Sequence, residues 1–222
     1  MCIRDSPAAA RPRPVRSSLP AGSPRTAGLR RLLVLLVLVV VAGAVLGAAT
    51  SFAQTVLPDA LRPFANSASG WTLLTVLVVG ACRVRPAPSA VLGAASFAAL
   101  VLGYWTASVL RGFPDDETLF LGIGVVVGPF VGVATSWLRQ EGVRAAVGCG
   151  ALAGIAVGES AYGLLVVVAS TGWTYWAVIG GAGIALLGHT LLRRLHAARP
   201  RLLAVGLVLA TAAAFFALYS SL

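Results

Sequence analysis

One acidic residue, Glu159, lies in the middle of a long apolar stretch, and its type and position are the best suited to chemistry in this sequence. It lies about 15 Å of helix from the nearer end of a span predicted over 145–169. An ionised carboxylate there costs at least about 2.5–3.5 kcal/mol, so such residues usually face a protein interior and serve a function. Tyr162 follows three residues later on the same helix face. We interpret Glu159 as a ligand-binding or proton-carrying group; the alternative is a neutral acid bonded to a neighbouring helix.

A second set of polar residues lies between the first two apolar stretches. Gln54, Asn66 and Ser67 flank a short proline-containing turn there. Either they line an outward-facing pocket, or they cap helix ends and satisfy a re-entrant backbone. Tyr104 lies inside the third span, within reach of the bundle interior, and Arg111 at its outer end either snorkels to headgroups or pairs with an acid. The candidate site for a ligand or a proton therefore comprises Glu159, Tyr162, Gln54, Asn66, Ser67, Trp71, Tyr104 and Arg111.

Two further groups of residues lie near the predicted outer boundary. Trp173, Tyr175 and Trp176 are typical of an aromatic belt at a membrane interface. The three acids at 115–117 indicate a solvated turn, with a weak cation-attracting mouth as the alternative. Three adjacent carboxylates without further ligands are poor evidence for a metal site.

The sequence contains no pattern for a cofactor, a metal or a catalytic centre. Cys2, Cys82 and Cys149 have no paired spacing, and His189 and His196 have no partners for a metal site. Nucleotide-binding loops, serine-hydrolase elbows and zinc-protease motifs are also missing from the sequence. Since an intramembrane enzyme needs paired catalytic groups and we find one buried acid, we predict no catalytic residues.

The composition predicts a membrane protein. Of the 222 residues 58% are apolar and 11% are charged, whereas a soluble domain has about 25% charged residues. The second of the predicted spans is the weakest, because its purely apolar part begins only at Trp71, and its alternative is a half-helix or re-entrant segment. We predict an all-α bundle of six to seven transmembrane helices over 32–222, near 32–52, 64–82, 90–110, 118–138, 145–169, 174–192 and 202–222.

The arginines predict an orientation for these spans. All 17 basic residues are arginine, and basic residues are enriched in cytoplasmic loops. With seven spans and an inside N-terminus, fifteen arginines lie inside, and only Arg62 and Arg111 lie outside. Omitting the second span would invert every later loop. The charges therefore favour seven crossings with the C-terminus outside, and no nucleic-acid motif accompanies the arginines.

The first 31 residues predict a disordered basic arm, because they are rich in Arg, Pro and Ser and have no apolar periodicity. Its first six residues resemble a translated sequencing-adapter remnant. A signal peptide cleaved after Ala53 is the alternative for residues 1–53. The apolar stretch 32–52 is longer than the usual signal-peptide core of about 7–15 residues, so we expect a retained helix.

Glycines recur at four-residue spacing, which places them on one helix face. Small residues in such rows allow membrane helices to pack closely. We interpret them as packing positions within one bundle, and the alternative is oligomerisation. They are Gly43 and Gly47, Gly124, Gly128 and Gly132, and Gly150, Gly154 and Gly158.

One segment has a distinctive pattern. Residues 50–58 read TSFAQTVLP, residues 64–71 read FANSASGW, and Arg111-Gly112-Phe113 and Gly158-Glu159-x-x-Tyr162 follow. Over about 32–195 the sequence resembles a family of small multi-pass membrane proteins of high-GC actinobacteria, a domain of unknown function. Phe64 replaces a frequent Leu of that family, and Ser69 interrupts its usual Ala-Gly. The resemblance implies a bacterial plasma-membrane location and no known activity.

These observations leave three functional hypotheses. The first is a protein that binds or transports a small solute through an outward-facing polar site, which requires a wet cavity reaching Glu159. The second is a structural or regulatory partner of other membrane subunits, which requires an unfilled face along Gly150–Gly158. The third and weakest is an intramembrane enzyme. In each case the lipid bilayer surrounds the protein.

Overall fold

The computed structural model of the protein describes residues 24–113 and 118–221. Within these ranges the chain folds into helices and contains no β-strand, which confirms the predicted all-α class. Six of the seven main helices, all except α2, are long and apolar enough to cross a membrane. The seven are α1 Pro24–Val56, α2 Ala68–Cys82, α3 Pro86–Leu110, α4 Thr118–Trp137, α5 Val143–Tyr162, α6 Thr174–Arg193 and α7 Ala198–Tyr219.

The first helix begins earlier than the predicted span. Residues 24–31, which we assigned to a disordered arm, form the start of α1. Pro24 suits the first turn of a helix, because its missing N–H has no intrahelical partner there. The following Thr-Ala-Gly-Leu-Arg-Arg leads into the apolar run without another proline. The rest of the predicted arm lies outside the described residues.

The second helix is short. Its 15 residues extend about 22 Å, against a hydrocarbon core of about 30 Å. The predicted span 64–82 is divided, since its first residues belong to a 3₁₀ turn at Arg62–Asn66 and Ser67 is the N-cap of α2. The N-terminus of α2 therefore lies inside the bundle.

The 3₁₀ turn and α2 together join opposite ends of the bundle. Gly43 of α1 lies against Ala99 of α3, and further along both helices the hydroxyls of Ser51 and Ser108 are 2.9 Å apart. The two helices therefore run in the same direction. Because α1 and α3 both start at the same end of the bundle, the chain between them must return across the bundle, as the charge pattern predicts.

The second half of the chain has a similar arrangement. Gly150 of α5 lies against Leu207 of α7, and Gly158 lies against Ala212, so these helices are also parallel. Gly183 of α6, which connects them, packs on α5. The helices thus alternate in direction, and one end of the bundle collects the arginines. We name this the arginine-rich end and the opposite end the outer end. That the arginine-rich end faces the cytoplasm stays a prediction.

The fifth helix continues beyond Tyr162 through an irregular segment. A π-helical turn at Gly163–Val167 and a final α-helical turn at Val168–Thr171 extend it to the outer end. Gly163 lies against the Trp176 ring so closely that a Cβ would overlap it. The π-turn, a feature found frequently at functional sites, therefore lies where α5 meets α6.

The glycines with four-residue spacing lie at contacts between helices of the same chain. Cβ atoms at Gly47 and Gly132 would overlap the backbone of α3. The three contact rows are Gly43 and Gly47 against α3, Gly124, Gly128 and Gly132 against α3, and Gly150, Gly154 and Gly158 against α7.

We predict that Gly132→Ala destabilises the fold by about 1–3 kcal/mol, because the added methyl group would overlap the Ser89 carbonyl oxygen. Gly122→Ala on the same helix is the matched control. Gly122 has no neighbour within 4 Å of a built Cβ, and alanine has the higher helix propensity. Thermal unfolding in detergent, followed by tryptophan fluorescence, measures both. Equal unfolding temperatures would contradict the close packing of α3 and α4.

Candidate functional site

A cavity of about 1070 Å³ opens at the outer end of the bundle. It lies between the ends of α1 and α3, the 3₁₀ turn at Arg62–Asn66 and the junction of α5 with α6. Four of the predicted site residues line it, namely Gln54, Asn66, Tyr104 and Arg111. We call this space the outer cavity.

Hydrogen bonds between α1 and α3 form one wall of the outer cavity. The Gln54 amide donates to the Tyr104 hydroxyl over 2.9 Å. Arg111, directly after α3, donates to the backbone carbonyl of Ser51, to the Ser51 hydroxyl at 3.0 Å and to the Thr55 hydroxyl at 3.1 Å. These bonds occupy carbonyl and hydroxyl groups at the C-terminal end of α1, where a cation complements the helix dipole.

The charge of Arg111 has aromatic neighbours. Its guanidinium carbon lies 4.7 Å from the centre of the Phe52 ring and 5.5 Å from that of Phe113. Among the described residues the ion pair at this end joins Asp59 and Arg62, 2.5 Å apart. Arg111 is therefore a cation in the wall whose bonds, in the described part of the chain, go to neutral groups.

Glu159 lies beneath the outer cavity and caps α2. Its Oε1 accepts the Ala68 backbone N–H at 2.8 Å, and its Oε2 accepts that of Ser69 at 2.7 Å. The side chain is 2% exposed. The first N–H groups of a helix have no intrahelical acceptor, and an acidic side chain also complements the positive end of the helix dipole. Glu159 therefore ties α5 to the buried N-terminus of α2.

Ser67 completes this cap. Its hydroxyl accepts the Gly70 N–H at 2.8 Å and is 2.5 Å from the Tyr175 hydroxyl of α6. Trp71 donates from its indole to the Ala65 carbonyl at 3.2 Å and packs against the Tyr104 ring. We call the 3₁₀ turn together with residues 67–71 the floor, because it separates the outer cavity from the membrane-depth interior.

The predicted site residues therefore fall into three places. Four line the outer cavity, while Ser67, Trp71 and Glu159 belong to the floor. Tyr162 lies elsewhere, with its ring against Phe216 and Tyr219 of α7, although it is one turn from Glu159. Residues three apart on a helix differ by about 60° in direction, which is enough to place one on α2 and the other on α7.

The structure also adds residues that sequence reasoning assigned to the membrane interface. Tyr175 is 5% exposed and bonded to Ser67, and Trp176 is buried and donates to the Thr171 hydroxyl at 2.8 Å. The aromatic-belt interpretation is therefore wrong for both, whereas Trp173 is 65% exposed. Their position in the first turn of α6 gave no signal of this burial, because it results from contacts with Ser67 of the floor and with the junction of α5 and α6.

Side chains that could bind a metal ion do not cluster in the described part of the chain. Within residues 24–113 and 118–221 no group of three His, Cys, Asp or Glu residues is close enough to hold an ion. Cys82 and Cys149 are free thiols. The predicted acidic turn at 115–117 and Cys2 lie outside the described residues.

Comparison with known protein families finds a match over most of the chain. A family model described as a family of unknown function, DUF6518, matches residues 26–222. The chain belongs to the DUF6518 family. The match confirms the resemblance to a family of unknown function and extends it from residue 195 through α7. No curated protein and no solved structure matches this DUF6518 chain.

We predict that Glu159→Gln lowers the stability of this DUF6518 protein by about 1–3 kcal/mol. Ala68 and Ser69 donate to separate carboxyl oxygens, and in a carboxamide one of these positions becomes an NH2 donor that faces a backbone N–H. The exposed Glu141→Gln is the matched control and should leave the unfolding temperature unchanged. Thermal unfolding in detergent tests both, and an unchanged Glu159→Gln protein would refute the capping role.

Proposed function

We propose that this protein binds a small polar solute carrying a negative charge in the outer cavity, within the plasma membrane of a bacterium. The observation that carries the proposal is the cavity itself, about 1070 Å³ with polar groups converging on it from three parts of the chain. Ligand pockets typically measure about 300–1,000 Å³ and orient their ligands with a few polar groups. The cavity is therefore large enough for a metabolite-sized molecule.

The cavity lining supports the charge of the solute. In the described part of the lining, Asp59 pairs with Arg62 at 2.5 Å, and Arg111 adds a further positive charge. A guanidinium recognises carboxylates and phosphates with paired hydrogen bonds. Asn66 is exposed on the 3₁₀ turn and supplies an amide that donates and accepts. Tyr104 and Trp176 supply flat apolar surface beside these groups.

The wet cavity reaching Glu159 that the solute hypothesis required is not found, because Glu159 is 2% exposed and does not line the outer cavity. We therefore propose a solute site without Glu159 in contact, in which Glu159 only positions the binding site. Its carboxyl oxygens accept the N–H groups of Ala68 and Ser69, and the outer cavity ends above it. The hypothesis that Glu159 itself binds a ligand or carries protons would require the floor to open. Transport of the solute would require the same opening, because the floor closes the path below the cavity.

The alternative function, a partner subunit of a membrane complex, has less support. It depended on a free glycine face along Gly150–Gly158, and α7 of the same chain fills that face. For the third hypothesis, an intramembrane enzyme, we find no supporting pair of catalytic groups among the described residues. The family resemblance supports the proposed location in a bacterial plasma membrane, and the arginine distribution supports the proposed orientation.

We predict that the purified protein in nanodiscs is stabilised by a small carboxylate or phosphate compound and not by its neutral analogue. A ligand at a hundred times its Kd adds about 2.7 kcal/mol of stability. A thermal-shift screen with matched charged and neutral compounds measures this. Stabilisation only by uncharged compounds, or by none of the small solutes, would contradict the proposal.

We predict that Asn66→Ala weakens binding of the solute found in that screen, since it removes an exposed amide of the cavity without disturbing a buried contact. The loss of one hydrogen bond to a charged group corresponds to about 1.5–3 kcal/mol, or about 10- to 150-fold in Kd. Gln140→Ala at the arginine-rich end is the control. Calorimetric titration compares the three proteins, and equal affinities would place the solute outside the outer cavity.

A further inference from the structure

A second cavity lies below the floor, at membrane depth. It measures about 390 Å³ and lies between α2, α5 and α6, with the end of α4 at its base. Its lining is almost entirely apolar and includes Leu73, Val76, Leu138, Leu152, Val178 and Leu186. We call this space the crevice. It is separate from the outer cavity, because the edge-on pair of Phe64 and Tyr175 lies between them.

The crevice opens sideways, between α2 and α6. Leu73 on α2 is 48% exposed and Val178 on α6 is 60% exposed, and both line it. Both helices belong to the apolar part of the bundle, where the surrounding medium is lipid. An apolar chain from the bilayer can therefore enter the crevice without crossing a polar surface.

Positive charge lies at the base of the crevice. Val76 lines it, and Gly80, one helical turn or about 6 Å further along α2, accepts a hydrogen bond from Arg139 at 3.0 Å. Arg83 follows at the end of α2 and is exposed. Glu141 is the acidic residue at this end within the described parts of the chain.

We infer that the crevice binds an anionic phospholipid of the leaflet at the arginine-rich end. One acyl chain lies between α2 and α6, and the phosphate contacts Arg83 and Arg139. Basic groups between transmembrane helices attract anionic headgroups, and each arginine near the surface contributes about 1 kcal/mol. The acyl chain of such a lipid matches the apolar crevice, and its negatively charged headgroup matches the arginines at the base of the crevice. This inference does not depend on the solute proposed for the outer cavity.

The test uses the full-length protein in nanodiscs of equal parts palmitoyl-oleoyl phosphatidylglycerol and the corresponding phosphatidylcholine, followed by native mass spectrometry. We expect retained phosphatidylglycerol in excess over phosphatidylcholine. Ala182→Phe fills the crevice at its exposed side and should abolish the retained lipid. The matched control, Ala177→Phe, is exposed on the same helix and does not line the crevice, so it should retain the lipid.

A second pair of variants tests the headgroup. Arg83→Gln should reduce the preference for phosphatidylglycerol about fivefold, the equivalent of about 1 kcal/mol, while Arg199→Gln at the start of α7 should not. If Ala182→Phe does not fold, Leu73→Trp at the exposed mouth replaces it. Equal retention of both lipids, or equal retention by Ala182→Phe and Ala177→Phe, would overturn the inference.

Discussion

A transmembrane segment that starts below the membrane surface leaves backbone N–H groups where water cannot reach them, and each unsatisfied group costs several kcal/mol. The N-terminus of α2 has this problem, and Glu159 solves it. The carboxyl group accepts two of these N–H groups, and Ser67 accepts the next. The buried acid and the short helix therefore explain each other, since either alone would be costly in lipid.

This cap determines where the rest of the site lies. Because α2 starts deep in the bundle, the chain between α1 and α2 folds inward as a 3₁₀ turn and leaves the outer cavity above it. Tyr175 is drawn into the bundle to bond Ser67, and the π-turn of α5 makes room for Trp176. Below the floor, the crevice lies between α2, α5 and α6.

The sequence predicted much of this architecture, because apolar runs and arginines respond to the bilayer directly. It indicated that α2 is both the weakest span and a necessary crossing, and it identified Glu159 from the cost of burying an acid. The partner of Glu159 was not predictable from the sequence. It consists of backbone N–H groups that lack an intrahelical acceptor only because α2 begins at Ala68. Tyr162 and Tyr175 were misplaced for a related reason, since small rotations about a helix axis decide which neighbour a side chain meets.

The central claim is that Glu159 holds the N-terminus of α2 in place. Hydrogen–deuterium exchange of the amides of Ala68, Ser69 and Gly70 tests it most directly, with native protein and Glu159→Gln compared in nanodiscs. Local opening of a helix end speeds exchange in that segment without affecting the remaining core. We expect faster exchange confined to the floor in Glu159→Gln. Unchanged exchange at residues 68–70 would contradict it, because those N–H groups would then have acceptors other than Glu159.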